Sequence, residues 1–144
     1  LKEISLKIGV QSVVVVLDYK KVGFFKKNEI FINNGTVKTG IQLLDFVKKI
    51  QESGVVGELV INSIDNDGMM LGYDYDTIND VRKIFDGPMT VIGGAESLTD
   101  IKKLISKYPL IGAGAGSIFV FKGKYKAVLI NYPNMIDRFE FTIK

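Results

Sequence analysis

The chain has 144 residues, nearly half of them apolar, which is enough for one domain with a real core and too apolar for a disordered segment. It contains neither cysteine nor histidine, so disulfides, thiolate nucleophiles and sulfur metal sites are excluded, and any proton transfer falls to Asp, Glu, Lys or Tyr. The formal charge of +3 is dispersed over separate pairs such as Lys20-Lys21, Lys26-Lys27 and Lys102-Lys103, so no nucleic-acid face is expected; no apolar run approaches the ~20 residues of a membrane span, and a soluble, cytoplasmic protein is the expectation.

Leu1 to Ile8 places apolar residues at Leu1, Ile4, Leu6 and Ile8 ahead of Gly9, the pattern of the last turns of an amphipathic helix. The chain is therefore expected to begin inside an element, as a fragment of something longer would. Val13 to Leu17 is a β-branched run, read as a strand ending in Asp18. From Gly23 to Lys38 aromatic and aliphatic residues alternate around Lys26-Lys27-Asn28 and Asn33-Asn34-Gly35, both with hairpin-turn chemistry. Thr39-Gly40 leads into a helix over Ile41 to Glu52, with Ile41, Leu44, Phe46, Val47 and Ile50 on one face and Gly54 as its stop. Leu59 to Ile64 is apolar at nearly every position, as a parallel strand covered on both faces should be. Thr77 to Phe85 follows as a helix, its start near Tyr75 capped by Asp74. Met89 to Ile92 is a strand, Leu98 to Lys107 a helix behind Ser97 as cap, and Leu110 to Ala115 another strand. Ile118 to Phe121 and Ala127 to Tyr132 read as extended pieces around a Lys122-Gly123-Lys124 turn, ended by Pro133, with Asn134 to Lys144 a weakly specified tail.

The order βαβαβαβ calls for a parallel sheet with right-handed crossovers. Each strand ends in a polar or glycine signature that opens the next segment: Leu17-Asp18, Ile64-Asp65, Ile92-Gly93-Gly94 and Gly116-Ser117. Four βα units are half of a (β/α)8 barrel, a fold that typically takes roughly 250 residues. The expected fold is thus α/β, with residues 1–144 forming a single half-barrel domain of parallel strands.

The densest chemistry lies in GELVINSIDNDGMMLGYD, Gly57 to Asp74, where a buried strand runs into an acid-rich, glycine-bearing loop and then a helix start, as in a catalytic βα loop. Ser63, Asp65, Asp67, Gly68 and Asp74 fall in the register of a calcium loop, but such loops join helices and end in glutamate, whereas a buried strand precedes this one; no metal is expected. Gly112 to Gly116 imitates a dinucleotide fingerprint, yet it lies late in a strand and lacks an acidic ribose partner. Gly93-Gly94 and Gly116-Ser117 end neighbouring strands, where bare N–H groups and the helix starts behind them suit a phosphate, the alternative being that these glycines only permit tight turns. Asp18, at the end of an apolar strand, is either a cap or an acid or base in a barrel mouth.

These segments together resemble the C-terminal half of the cyclase subunit of imidazole glycerol phosphate synthase, a (β/α)8 barrel of histidine biosynthesis. The resemblance covers nearly the whole chain and is carried by QSVVVVLDYK (Gln11 to Lys20), NGTVKTG (Asn34 to Gly40), the Gly57 to Asp74 segment, IGGAES (Ile92 to Ser97) and AGSIFVF (Ala115 to Phe121). It implies a lyase that takes ammonia from a glutaminase subunit docked at the N-terminal barrel face and adds it to a phosphorylated ribulosyl aminoimidazole nucleotide, without a cofactor. By motif match it implies Asp18 as one of two catalytic aspartates, the other belonging to the first strand of the full barrel, and Asp67 as an active-site loop carboxylate. Gly68, Gly93, Gly94, Gly116, Ser117 and Asn62 become phosphate- or substrate-binding positions, and Glu58 part of a charged ammonia gate at the barrel bottom.

Met69-Met70-Leu71 stands where the biosynthetic enzyme prefers polar residues, Asn62 where threonine is usual, and Ile92 where a small or polar residue precedes the glycine pair. The ending from Lys122 to Pro133 is similar to paralogues of surface-polysaccharide (lipopolysaccharide) and flagellin-sugar clusters, which implies ammonia delivery for sugar amidation as a second reading. A third is a non-catalytic half-barrel that binds phosphate or oligomerises. On its own the chain is expected to self-associate, because half a barrel leaves open edges and an uncovered inner face, and to have little or no cyclase activity.

Overall fold

The computed structural model describes residues 1–123 and 125–135. A short helix, α1 (Lys2–Ile8), ends at Gly9, and a 3-10 turn (Val10–Ser12) delivers the chain to strand β1 (Val14–Val22). Two hairpin strands follow, β2 (Lys27–Ile32) and β3 (Val37–Gln42), then α2 (Leu43–Ser53), β4 (Glu58–Ser63), α3 (Tyr75–Arg82), β5 (Met89–Ile92), α4 (Leu98–Lys107) and β6 (Ile111–Ala113). A four-residue helix, α5 (Ser117–Val120), and a small hairpin of β7 (Phe121–Lys122) and β8 (Ala127–Val128) complete the described part.

The main sheet runs β3-β2-β1-β4-β5-β6. The pairs β1–β4, β4–β5 and β5–β6 are parallel, whereas β2 and β3 join the β1 side antiparallel. The parallel strands add in chain order without reversal, which is how a barrel wall grows and unlike a doubly wound sheet. Side-chain alternation separates the two faces of this wall. Leu17, Tyr19, Leu59, Ile61, Met89 and Val91 enter one buried cluster with Leu43, Val47 and Ile50 of α2, Ile78 and Val81 of α3, and Ile101 and Leu104 of α4. Val14 and Val16 on the opposite face are 50% and 59% exposed. The architecture is a partial (β/α) barrel with its helices on the outer face.

Gly54 ends α2 in the left-handed conformation, and Asp74 and Ser97 cap α3 and α4 by accepting from the backbone N–H of Thr77 and Asp100. Several boundaries differ from the sequence expectation. β1 does not stop at Asp18: its parallel pairing with β4 ends at Tyr19↔Ser63, while antiparallel pairing with β2, from Asp18↔Phe31 to Val22↔Lys27, carries it onward. The first turn therefore occupies residues 23–26, and Lys27 and Asn28 lie within β2. Thr39 and Gly40 lie in β3, so α2 starts two residues later than expected. Residues 118–120, expected to be extended, are helical. In α1 only Ser5 is buried, and Ile4, Leu6 and Ile8 are exposed. Lys124 of the expected Lys122-Gly123-Lys124 turn and residues 136–144 of the expected tail lie outside the described residues.

Candidate functional site

The chemistry collects at the C-terminal ends of the parallel strands. Loop 64–73 leaves β4 as a compact knot: the N–H groups of Asn66 and Asp67 donate to the Ser63 carbonyl at 3.2 and 3.0 Å, Met69 N–H donates to Asn66 O at 3.0 Å, and Asn66 Nδ2 donates to Gly72 O at 3.2 Å. The loop is pinned to its neighbour by Gly72 N–H on Gly94 O, 2.8 Å. Glycine is required at two successive positions of β5's loop. Gly93 (φ +85°) and Gly94 (φ +105°) occupy backbone space that L side chains rarely enter, and a Cβ would collide with Ser63 O at the first and Gly72 O at the second.

Between the loops after β4, β5 and β6 lies one pocket, with about 30 Å3 of room for water-sized groups, lined by Asp67, Gly68, Met70, Ile92, Gly93, Gly94, Ala95 and residues 114–117. Six sequence-selected positions thus converge on one space: Asp67, Gly68, Gly93, Gly94, Gly116 and Ser117. Gly68 and Ser117 face each other, a Cβ on Gly68 standing 3.9 Å from Ser117 Oγ. The helix starts contribute less than the sequence suggests. The N-terminus of α4 borders a different pocket, with Glu96, Ser97, Leu98 and Phe119, and α5 is four residues long, too short for a substantial macrodipole. Loop backbone, the Ser117 hydroxyl and the Asp67 carboxylate make up the polar part of the pocket wall.

The loop aspartates do different work. Asp65 turns back to accept from Lys21 N–H at 2.9 Å, fastening the loop to β1. Asp67 is exposed and faces the pocket. Asp74 is buried, receiving Thr77 Oγ1 at 2.7 Å, Tyr19 Oη at 3.3 Å and Lys21 Nζ at 2.9 Å. Burial alone would push the Asp74 carboxyl up, but the Lys21 and Thr77 hydrogen bonds and the Lys21 charge hold it below the usual carboxylate range. Burial, reinforced by the Asp74 charge, drives the Tyr19 phenol far above its ordinary value, so it stays a donor. Burial likewise raises Tyr73, whose hydroxyl donates to Gly114 O at 3.0 Å and ties α3's approach to the β6 loop. Among the described residues no three carboxylates gather where a metal ion could sit.

Asp18 and Asn62 stand beside the pocket without lining it. They are paired across β1 and β4, and Asn62 Nδ2 donates to Asp18 Oδ1 at 2.9 Å. Asn62 Oδ1 is buried without a partner, an arrangement that typically costs about 1–3 kcal/mol. Glu58 lies at the other end of β4, about 13 Å below Asn62 by strand rise, where its carboxylate accepts from Thr90 Oγ1 at 2.6 Å. The structure therefore groups the glycines, Ser117 and Asp67, sets Asp18–Asn62 next to them, and leaves Glu58 remote at the N-terminal face.

Two residues at the pocket were given no site role from the sequence. Lys126, within the terminal hairpin, donates to Gly68 O at 3.4 Å and brings a cation to the pocket rim; only the pairing of β7 with β8 places it there. Met70 lines the pocket with φ +56°, an uncommon conformation for a side-chain-bearing residue. The signal for it was present, since the apolar run 69–71 interrupts a polar loop.

A family model described as "Histidine biosynthesis protein" matches residues 1–126. The chain is 50% identical over 136 residues to the Vibrio vulnificus protein described as "Putative imidazole glycerol phosphate synthase subunit hisF3", covering 94% of this chain and 52% of that protein. A Leptospira interrogans protein with the same description for subunit HisF is 52% identical over 131 residues, 91% of this chain and 51% of its own length. An "Imidazole glycerol phosphate synthase subunit HisF" of Natranaerobius thermophilus is 39% identical over 128 residues, 89% of this chain and 50% of its own. The chain spans about half the length of the curated relatives it matches. No helix among the described residues is long and apolar enough to cross a membrane. A match running over nearly the whole described chain, on a partial barrel whose loops meet at the C-terminal ends of the strands, means that the chain belongs to the histidine biosynthesis protein family.

Proposed function

We propose that the full-length protein carrying this chain is a cytoplasmic cyclase of the imidazole glycerol phosphate synthase type, joining ammonia from a partner glutaminase to a phosphorylated acceptor. The carrying observation is the pocket itself: glycine loops from three successive strands and the Ser117 hydroxyl face one small space, with the Lys126 ammonium at its rim. Backbone approach of this kind suits phosphate oxygens. Gly68, Gly93, Gly94, Gly116 and Ser117 hold the phosphate, which places the acceptor's reacting end over Asp18 and Asn62. In a chain without histidine, Asp18 is the acid or base that moves protons as ammonia adds and the ring closes, with Asp67 as the second carboxylate at the pocket. Glu58, fixed by Thr90 at the N-terminal end of β4, forms part of the ammonia entry beneath the sheet, where the glutaminase docks. Asp18→Asn should lower ammonia-dependent turnover by about 10²-fold or more while leaving phosphate affinity nearly unchanged. Unchanged turnover would reduce Asp18 to a structural partner of Asn62.

One observation favours a different acceptor, as in sugar amidation. Met70 and Ile92 put apolar side chains on the wall of the pocket, where the biosynthetic enzyme prefers polar or small residues. Rescue of a histidine auxotroph by the full gene separates the two: growth supports the histidine-pathway acceptor, and failure by a folded, ammonia-using protein supports the other.

A further inference from the structure

We propose that Asn62 is a positioning residue that fixes the Asp18 carboxylate for proton transfer, an inference resting on Asp18 as the proton-transfer group. The two ends of its side chain stand in different surroundings. Its Nδ2 donates to Asp18 Oδ1 at 2.9 Å. Its Oδ1 is buried with no partner and is walled off by Gly93, where even a Cβ would stand 3.0 Å away. An amide placed only for stability would not leave a buried acceptor atom orphaned on a half-buried side chain. Asn62 does not line the pocket, which separates it from the groups that face the phosphate.

The contact constrains one oxygen of Asp18 and leaves Oδ2 to act. Half-buried at the end of the parallel ladder, between Asn62 on β4 and Phe31 on β2, Asp18 has a strand on either side. Without the amide its carboxylate is free to rotate about χ2, a broad torsion, and a proton-transfer group misplaced by about 1 Å costs up to roughly 10²-fold in rate. Asn62 also links the two halves of the site, with Asp18 on its amide nitrogen and the Gly93 turn against its amide oxygen.

The test uses the full-length protein, with ammonium as nitrogen donor, and compares Asn62→Leu, Asn62→Thr and Asp18→Asn. Leucine conserves volume and removes both polar ends. The expected result for Asn62→Leu is kcat lower by about 10-fold to 100-fold, KM within about 2-fold, and a Tm changed little, because losing the orphan acceptor offsets the donor taken from half-buried Asp18. Asn62→Thr, which keeps a shorter hydroxyl donor, should recover part of the lost kcat. A raised KM with unchanged kcat would overturn the proposal and make Asn62 a substrate-binding group. A fall in Tm matching the lost activity would make its role structural. Unchanged kinetics in Asn62→Leu beside an inactive Asp18→Asn would also overturn it while leaving the functional reading intact. Full turnover in Asp18→Asn would remove that reading and the positioning role together.

Discussion

Asp74 shows how one carboxylate can anchor a site it does not enter. It caps α3, pairs with Lys21 from β1 and accepts from Tyr19, joining the hairpin side of the sheet to the helix that follows the active loop. Its folded-state pKa is depressed, so as pH falls the unfolded chain takes up the proton first. The contribution is then complete above the unfolded value of about 3.9 and is lost as pH drops through the lower folded value. Asp74→Asn keeps a capping side chain but no charge. We expect it to lower stability at neutral pH and to flatten the fall in stability below about pH 4, as read by denaturant unfolding across pH. An identical acid limb in both proteins would show that the Lys21 pair contributes nothing. Asp74 was legible as a cap because it directly precedes a helix, whereas its pairing with Lys21 depends on β1 running four residues past Asp18, which no local pattern announces.

At the scale of elements, Arg82 closes the lower side of the β5–β6 unit. Its guanidinium donates to the carbonyls of Phe85, Gly87, Pro109 and Leu110, holding the end of α3 against the segments that enter both strands. Arg82→Met retains the apolar stem and strands these acceptors, two of which are open to water. The expected loss is about 1–2 kcal/mol, measured by chemical denaturation, and no change would mean that water replaces the guanidinium fully. Helices with caps and a dominant apolar face were readable in sequence, and α4 and β5 fall on their expected residues. Ser117–Val120 was not. Ile118, Phe119 and Val120 favour extended backbone intrinsically, and only their place after β6, where a barrel strand turns into its helix, makes them helical. The glycines of the pocket were legible by position, but their convergence needed the sheet order.

The whole molecule is a barrel wall with one dressed face. Helices cover the outer side, while Val14 and Val16 stay exposed on the inner one. β2 covers the β1 edge only from Asp18 to Val22, so residues 14–17 have no strand on that side among the described residues. Expressed alone, the chain should self-associate at low micromolar concentration through this face, and Val16→Glu should shift it toward monomer in sedimentation experiments. A stable monomer with native valines would show that the face tolerates water. At the opposite end of the wall three loops meet around one pocket, proposed above to hold phosphate. Diffraction from crystals soaked in inorganic phosphate tests that proposal most directly. The account predicts density among Gly68, Gly94 and Ser117, lost in Gly94→Val; density confined to surface lysine pairs such as Lys102-Lys103 would contradict it.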